Sequence, residues 1–262
     1  MTTTDPVRVD IEGPLLIVTL DRPKANAIDA ATSQAIYAAV ARLRVDDSLR
    51  AAILTAAGDR FFSAGWDLKA ATTGETHDAD HGPGGFAGIT ELFGIGKPII
   101  AAVNGSAYGG GVEMMLASHL VVASDTATFA FPETRLGILP DAGGVIRLSD
   151  LLPKPLALEL LLTGRNFTAS EAHRWGLINR IVPADRVLET AKELALRVCE
   201  SAPLAVAATL GIVELTQGLG DVEAFDMVRN KLPSVPEVQA SLDAIEGTRA
   251  FAERRQPVWL GR

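Results

Sequence analysis

Cysteine is almost absent from this chain of 262 residues, in which Cys199 is the only one. A single thiol excludes a disulfide within the chain and a zinc site built from several cysteines. No other metal-ligand pattern stands out, so we expect no metal site. Any chemistry that the protein performs has to come from its carboxylates, hydroxyls and backbone groups.

Positive charge is also in short supply. The chain carries 24 Lys and Arg against 32 Asp and Glu, a net charge of −8, and no basic block. We therefore expect neither nucleic acid nor a membrane surface as partner. A polyanionic small molecule remains compatible with this composition, because a few local cations and backbone N–H groups suffice to bind one.

Long hydrophobic runs are missing as well. No run approaches the ~20 apolar residues of a membrane span, and residues 1–5 lack the basic and apolar blocks of a signal peptide. We expect a cytoplasmic protein. The proportions of hydrophobic residues (48 %) and charged residues (21 %) are typical of a globular chain long enough for one large α/β domain.

What the chain does contain is an alternation of apolar strands and helices up to about residue 200. Residues 7–20 predict a hairpin, Asp29 predicts the N-cap of a helix, and residues 51–55 and 99–103 predict buried strands. Residues 72–88 lack periodicity and predict a mobile loop. Strand signals vanish beyond residue 184, so we expect a core over 1–200 and a helical region over 201–262.

Two glycine-rich loops each follow an apolar strand and precede a helix, residues 63–68 (SAGWDL) and 104–113 (NGSAYGGGVE). Such turns expose backbone N–H groups, and two of them converging on one oxygen would stabilise an oxyanion or enolate. The plainer interpretation is that these glycines only permit tight turns and close packing. Neither loop fits a phosphate-binding pattern.

Two glutamates have unusually apolar neighbours. Glu113 follows the glycine triplet and precedes Met114, while Glu133 follows Phe131 and Pro132 at the end of an apolar strand. A glutamate is usually solvated or caps a helix, and that alternative holds for both. Their apolar surroundings favour a chemical role.

Four motifs in order resemble the crotonase superfamily, the enoyl-CoA hydratases and isomerases: residues 60–68, 98–113, 132–148 and 174–182. The resemblance extends from about Val7 to the C-terminus. It implies an α/β fold, a spiral of ββα repeats followed by a C-terminal helical trimerisation region. It also implies an acyl-CoA substrate, no cofactor, and a homo-oligomer, either a trimer or a dimer of trimers.

The resemblance assigns a role to each motif position. It implies that Glu113 activates water and Glu133 donates a proton, although the residues alone leave open which is acid and which is base. The backbone N–H groups of Trp66 and Gly110 would form the oxyanion hole. The implied CoA-binding positions are Lys24, Ala25, Ala27, Ala64, Asp67, Leu68 and Arg254, and for the charged ones solvated surface is an equal alternative.

Loops and tail resemble more narrowly the subgroup that hydrates crotonobetainyl-CoA, whose acyl chain carries a quaternary ammonium; these segments are residues 21–30, 61–70, 78–88 and 243–259. Such a cation favours aromatic faces and carboxylates. Trp66, Tyr108, Phe131 and Asp141 are the candidates for that acyl pocket. Alternatively, Trp66 only fills space and Asp141 caps the following helix through Gly143 or Gly144, which is the interpretation we favour for Asp141.

The motifs also permit functions other than hydration of crotonobetainyl-CoA. A general 2-enoyl-CoA hydratase fits the same motifs, and an isomerase that moves the double bond needs only one base. A non-catalytic relative that binds CoA or RNA is a different class, disfavoured by the two acids and by the net negative charge. A purely structural protein leaves the paired loops unexplained.

Overall fold

The computed structural model describes residues 5–76 and 78–262. Within these residues, ten strands form two sheets. The larger sheet has six strands: β1 (Val7–Glu12), β2 (Leu15–Leu20), β3 (Ala51–Ala56), β5 (Ile99–Val103), β7 (Leu120–Ser124) and β10 (Arg180–Val182), in that spatial order. The smaller sheet has four: β4 (Phe61–Ser63), β6 (Ser106–Tyr108), β8 (Thr128–Ala130) and β9 (Phe167–Thr168).

Successive strands alternate between the two sheets. β3, β5 and β7 lie in the larger sheet, and each is followed at once by β4, β6 or β8 in the smaller one. The pairs β3–β5, β5–β7, β4–β6 and β6–β8 are all parallel, whereas β1 and β2 form the antiparallel hairpin predicted for residues 7–20. This repetition is the expected spiral of ββα units, and the predicted fold class is confirmed.

Helices cover the sheets and form the end of the chain. Those of the first part are α1 (Ala30–Val40), α2 (Leu68–Thr72), α3 (Gly110–Ala117), α4 (Gly144–Leu151), α5 (Lys154–Thr163), α6 (Ala169–Arg174) and α7 (Val187–Cys199). Those of the last part are α8 (Pro203–Thr216), α9 (Asp221–Asp226), α10 (Ser234–Ala240) and α11 (Leu242–Glu253). Among the described residues no strand follows Val182.

The larger sheet is buried on both faces. All six residues of β2 and of β3 are buried, as continuous apolar strands in a covered parallel sheet should be. Residues of one face, such as Leu16 and Leu54, join the main core, whereas Ile53 on the other face packs with Val187 and Ala191 of α7. Both faces of the sheet around β2 and β3 are therefore filled by packed side chains.

The helix starts show one correct and one wrong prediction. Asp29 caps α1 by accepting the Thr32 N–H over 2.8 Å. The sequence also predicts Ser170 as the cap of a short helix before residues 177–182, and this is wrong: Thr168 caps α6, and Glu171 completes a capping box with it. The helix begins two residues earlier because Thr168 has extended backbone angles and finds its glutamate three residues on.

The glycine-rich stretch after α2 is better packed than expected. Ala87 is buried, and its N–H donates to the hydroxyl of Ser33 on α1 over 3.0 Å. A Cβ at Gly88 would overlap the backbone of Ser33 and Tyr37. The prediction of a loosely held loop is therefore wrong for its second half, because missing side chains let this segment lie directly on α1.

Apolar side chains remain exposed at the helical end of the chain, including Val213, Val222, Phe225, Ile245 and Phe251. No single described helix is long and apolar enough to cross a membrane. One pair of helical segments, residues 184–199 and 203–216, meets the length and composition criteria together but bends by 106°.

Candidate active site

A cleft of about 650 Å³ opens where the smaller sheet ends and α3 begins. Strands β4 and β6 run parallel, so the loops that follow them leave the same edge of the sheet. Both predicted glycine loops and both predicted glutamates border this cleft; its lining includes Ala64, Trp66, Leu68, Gly109, Gly110, Glu113, Glu133 and Asp141.

The two glycine loops touch each other. A Cβ placed on Gly65 would lie 2.7 Å from the Tyr108 carbonyl oxygen and 2.8 Å from the Gly110 nitrogen. A Cβ on Gly111 would overlap the Ser63 carbonyl. Close packing, the plainer interpretation, is thus real, and it also brings the two chain segments together.

Their amide groups are available to a ligand. The N–H groups of Trp66 and Gly110 have no acceptor among the described residues, whereas the Gly109 N–H donates to Ala130 over 2.9 Å. Gly110 is the first residue of α3, where backbone N–H groups are free and the helix dipole is positive. Two unpaired donors in adjoining loops can bind one oxygen atom that carries developing negative charge.

Glu113 lies in the first turn of α3 and is only 3 % exposed. Its Oε1 accepts the backbone N–H of Gly144 over 2.8 Å. Burial raises the pKa of Glu113 to about 8; the Gly144 hydrogen bond opposes this, and the nearby charges of Glu133 and Asp141 add to it. A carboxyl group of this kind exchanges protons near neutral pH.

Glu133 begins the short 3₁₀ turn Glu133–Leu136 after β8, and it is 7 % exposed. Its Oε2 is buried and has no hydrogen-bond partner in the described part of the chain. Burial raises the pKa of Glu133 to about 7, and Asp141 contributes in the same direction. Gly109 adjoins it so closely that a Cβ there would overlap Oε1.

The two carboxyl groups line one cleft, the charge of Glu133 raises the pKa of Glu113, and both pKa values lie near neutral. Such a pair contains both an ionised and a protonated carboxyl group around pH 7 to 8. The arrangement can remove a proton from one atom of a ligand and deliver a proton to another.

Asp141 does not cap α4, contrary to our expectation. The Gly144 N–H goes to Glu113, and no side chain caps this helix, whose N-cap is Gly143 with a φ of 105°. Asp141 is instead an exposed residue of the cleft lining. Its carboxylate acts on the site through its charge.

Tyr108 and Phe131 lie outside the cleft lining, which corrects the acyl-pocket expectation for both. The Tyr108 hydroxyl shares a hydrogen bond of 2.9 Å with Thr128, and its ring lies edge-on to Phe61. Phe131 is fully buried in the main core. Both rings are engaged in packing within the protein, and neither residue borders the cleft.

Trp66 does line the cleft, and its ring is fixed. The indole N–H donates to Oε1 of Glu75 over 3.0 Å, and Oε2 of Glu75 accepts the Ala30 N–H over 3.2 Å. A glutamate thus ties the ring to the start of α1. Sequence reasoning did not find Glu75, which lies in the stretch that lacks periodicity.

The predicted CoA-binding residues differ in their position relative to the cleft. Ala64 and Leu68 line the cleft, and the Ala64 N–H donates to Ala25. Lys24 and Arg254 are exposed and stand outside the lining. Arg22, which the sequence did not point to, contacts two further predicted positions. Its Nη1 donates to the Ala27 carbonyl over 2.6 Å, and its Nη2 lies 3.1 Å from the Asp67 carboxylate.

The enoyl-CoA hydratase/isomerase family matches residues 10–262. Carnitinyl-CoA dehydratase of Salmonella arizonae is 52 % identical over 259 residues, 98 % of this chain and 99 % of that protein. Its counterpart in Salmonella typhimurium is 53 % identical, covering 95 % and 96 %.

Solved structures agree in fold. Enoyl-CoA hydratase from Mycobacterium tuberculosis H37Rv is 40 % identical with a TM-score of 0.90, covering 98 % of this chain and 99 % of that one. Carnitinyl-CoA hydratase from Mycobacterium avium is 44 % identical with a TM-score of 0.78, covering 99 % and 100 %.

Proposed function

The chain belongs to the enoyl-CoA hydratase/isomerase family, and we propose that this hydro-lyase reversibly hydrates crotonobetainyl-CoA to carnitinyl-CoA. The carrying observation is that two buried carboxyl groups, Glu113 and Glu133, share a cleft with the unpaired N–H groups of Trp66 and Gly110. The presence of both carboxyl groups favours hydration over double-bond isomerisation, which needs one base. The relatives named for carnitinyl-CoA support the choice of acyl chain.

In this mechanism the carbonyl oxygen of the thioester accepts hydrogen bonds from the backbone N–H groups of Trp66 and Gly110. When water adds to C3, negative charge passes through the conjugated system to that oxygen. The two donors stabilise the enolate, and the dipole of α3 adds to their effect because Gly110 is its first residue. Loss of one such donor typically costs ~10²–10³ in rate.

The two glutamates carry the protons. We assign the removal of the proton from water, as hydroxide adds to C3, to Glu113, because the Gly144 N–H holds its Oε1 and favours its ionised form. Since burial leaves Glu113 with the higher pKa, about 8 against about 7 for Glu133, the reactive form of the pair is the less populated of its two singly protonated forms. Glu133, protonated, gives its proton to C2. The reverse reaction uses the same groups in exchanged roles and eliminates water. Both need one ionised and one protonated carboxyl group, which limits the rate at acid and at alkaline pH.

The charge of the cleft supports a cationic acyl chain. Beside the two glutamates, Asp78, Asp80, Glu91 and Asp141 line it, and no described lining residue is Lys or Arg. A quaternary ammonium at C4 gains from these carboxylates and from the Trp66 face, at about 0.5–2 kcal/mol for the ring. An uncharged acyl chain gains nothing from them.

We also propose how the chain binds CoA and how it assembles. The region 1–200 would hold the acyl-CoA site, with the Ala25, Ala27, Ala64, Asp67 and Leu68 segments along the CoA chain and Lys24 and Arg254 toward its phosphates. The helical region 201–262 would assemble a homotrimer or a dimer of trimers through its exposed apolar side chains. We expect a cytoplasmic enzyme that needs no cofactor, metal, nucleic acid or membrane.

The test is a substrate panel with purified protein. Crotonobetainyl-CoA, crotonyl-CoA and a 3-enoyl-CoA are compared by kcat/KM; hydration of the first two is followed through loss of the conjugated enoyl-thioester absorbance, and isomerisation of the third through its appearance. We expect the order in which they are named here. A faster reaction with crotonyl-CoA would make the protein a general hydratase, and turnover of the 3-enoyl-CoA alone would make it an isomerase.

A further inference from the structure

Arg147 lies on α4, one turn after Gly144, and its guanidinium joins two chain segments that each border the cleft. Nη2 donates to the Thr90 carbonyl over 2.6 Å, and Nη1 donates to the Ala142 carbonyl over 3.4 Å. A Cβ on Gly143 would overlap Nη1, so this end of the guanidinium lies directly against that glycine. The planar fork suits two separate acceptors in a way that an ammonium does not.

The two carbonyls belong to different segments. Thr90, 2 % exposed, belongs to the segment that packs on α1. The same segment contributes Gly85, Phe86 and Glu91 to the cleft lining. Ala142 lies in the other segment, two residues before the N–H that binds Glu113. One side chain therefore joins the segment that carries Thr90 to the loop whose Gly144 N–H binds Glu113.

We propose that Arg147 is a positioning residue, which joins these two segments and thereby keeps the Gly144 N–H on the carboxylate of Glu113. This inference rests on the proposed hydration by Glu113 and Glu133. The guanidinium touches neither water nor acyl chain in this role. It acts through the backbone of residues 142–144.

Its charge has a second effect. Of the described groups, Glu113 and Glu91 act on Arg147, while Glu133, Asp141 and Arg147 act on Glu113. Burial is the main cause of the raised pKa of Glu113, and Arg147 opposes it. Removing the positive charge should therefore raise this pKa further and leave less ionised Glu113 at a given pH.

The experiment separates the effect of the two Arg147 hydrogen bonds from the effect of its positive charge. Arg147→Met removes both, Arg147→Lys keeps only the charge, and Arg186→Met on the exposed surface is the matched control. We expect Arg147→Met to lower kcat tenfold or more, with a smaller change in KM, and to move the acidic limb of the pH–rate profile upward by about one pH unit. Arg147→Lys should lower kcat with little movement of that limb. Arg147→Gln replaces the Met variant if the latter does not fold.

A second measurement does not depend on turnover. The infrared band of protonated Glu113, identified by its loss in Glu113→Gln, is followed against pH in each variant. It should persist to higher pH in Arg147→Met than in the unmodified protein. Unchanged kcat and an unchanged band in Arg147→Met would overturn the proposal for Arg147. Absence of hydration in the unmodified protein, with the band shifting as expected, would instead overturn the proposed function.

Discussion

The backbone N–H of Gly144 donates to Oε1 of Glu113 over 2.8 Å across 31 positions of sequence. The same glycine has no room for a side chain. A Cβ there would lie 2.9 Å from that oxygen, from the ring of Phe131 and from Pro140. Position 144 therefore has two requirements, a free N–H and the absence of a Cβ, and both serve one carboxylate.

Gly144→Ala should lower kcat tenfold or more, because the methyl group pushes the Glu113 carboxylate from its place and geometric errors of about 1 Å cost up to ~10² in rate. Gly211→Ala on α8 is the control, since a Cβ at Gly211 meets nothing within 4 Å. That control should keep its kcat and gain up to about 1 kcal/mol of stability. Equal kcat in the two variants would show that the Gly144 contact has no part in turnover.

Each glutamate should be necessary on its own. Glu113→Gln and Glu133→Gln keep the shape of the side chain but cannot exchange the proton, so each should lose ~10²-fold or more in kcat. CoA binding, measured by calorimetry with a non-reacting acyl-CoA, should persist in both. Near-normal turnover in one variant would remove that residue from the mechanism.

The same burial that tunes Glu113 should cost stability at alkaline pH. Its pKa in the folded protein is about 8, against an ordinary value of 4.5, so folding favours the protonated form. The stability that this group contributes is present below its ordinary pKa and is lost as pH rises through the folded value. In thermal unfolding, Glu113→Gln should match the unmodified protein below about pH 4 and exceed it near pH 8 by roughly a few kcal/mol. The exposed Glu237→Gln should not show this divergence.

Buried strands could be predicted from the sequence because β2 and β3, covered on both faces, are unbroken apolar runs, whereas the spiral of ββα repeats was expected from the resemblance of the four motifs to the crotonase superfamily. Sequence reasoning located the glycine loops for a similarly local reason. It misjudged Asp141 because nothing local tells that the Gly144 N–H is already taken by Glu113. It misjudged Tyr108 because β6 has three residues, too few for the alternation that would show which face the ring takes.

The role of Arg147 could not be predicted from the sequence. Its acceptor on Thr90 stands 57 positions away, in a stretch whose sequence shows no periodicity. Only the packing of that stretch on α1 brings the two together.

The oxyanion hole is tested at Gly110. Gly110→Pro removes the N–H at a helix position whose backbone tolerates proline, and it should lose ~10²–10³ in kcat. Gly110→Ala keeps the N–H but presses on the ring of Phe86, so it separates loss of the donor from crowding. A Pro variant no slower than the Ala variant would exclude Gly110 as a donor.

Trp66 tests the acyl chain. Its ring lines the cleft and is held by Glu75, whereas the amide that we assign to the oxyanion belongs to the backbone and survives substitution. Trp66→Ala should therefore reduce kcat/KM for crotonobetainyl-CoA more than for crotonyl-CoA. A cation–π contribution of ~1 kcal/mol corresponds to about a five-fold difference between the two losses. Trp66→Phe keeps an aromatic face without the indole N–H, so it should recover most of that difference. Equal losses on both substrates would make the ring an ordinary pocket wall and leave the cationic group to the carboxylates of the cleft.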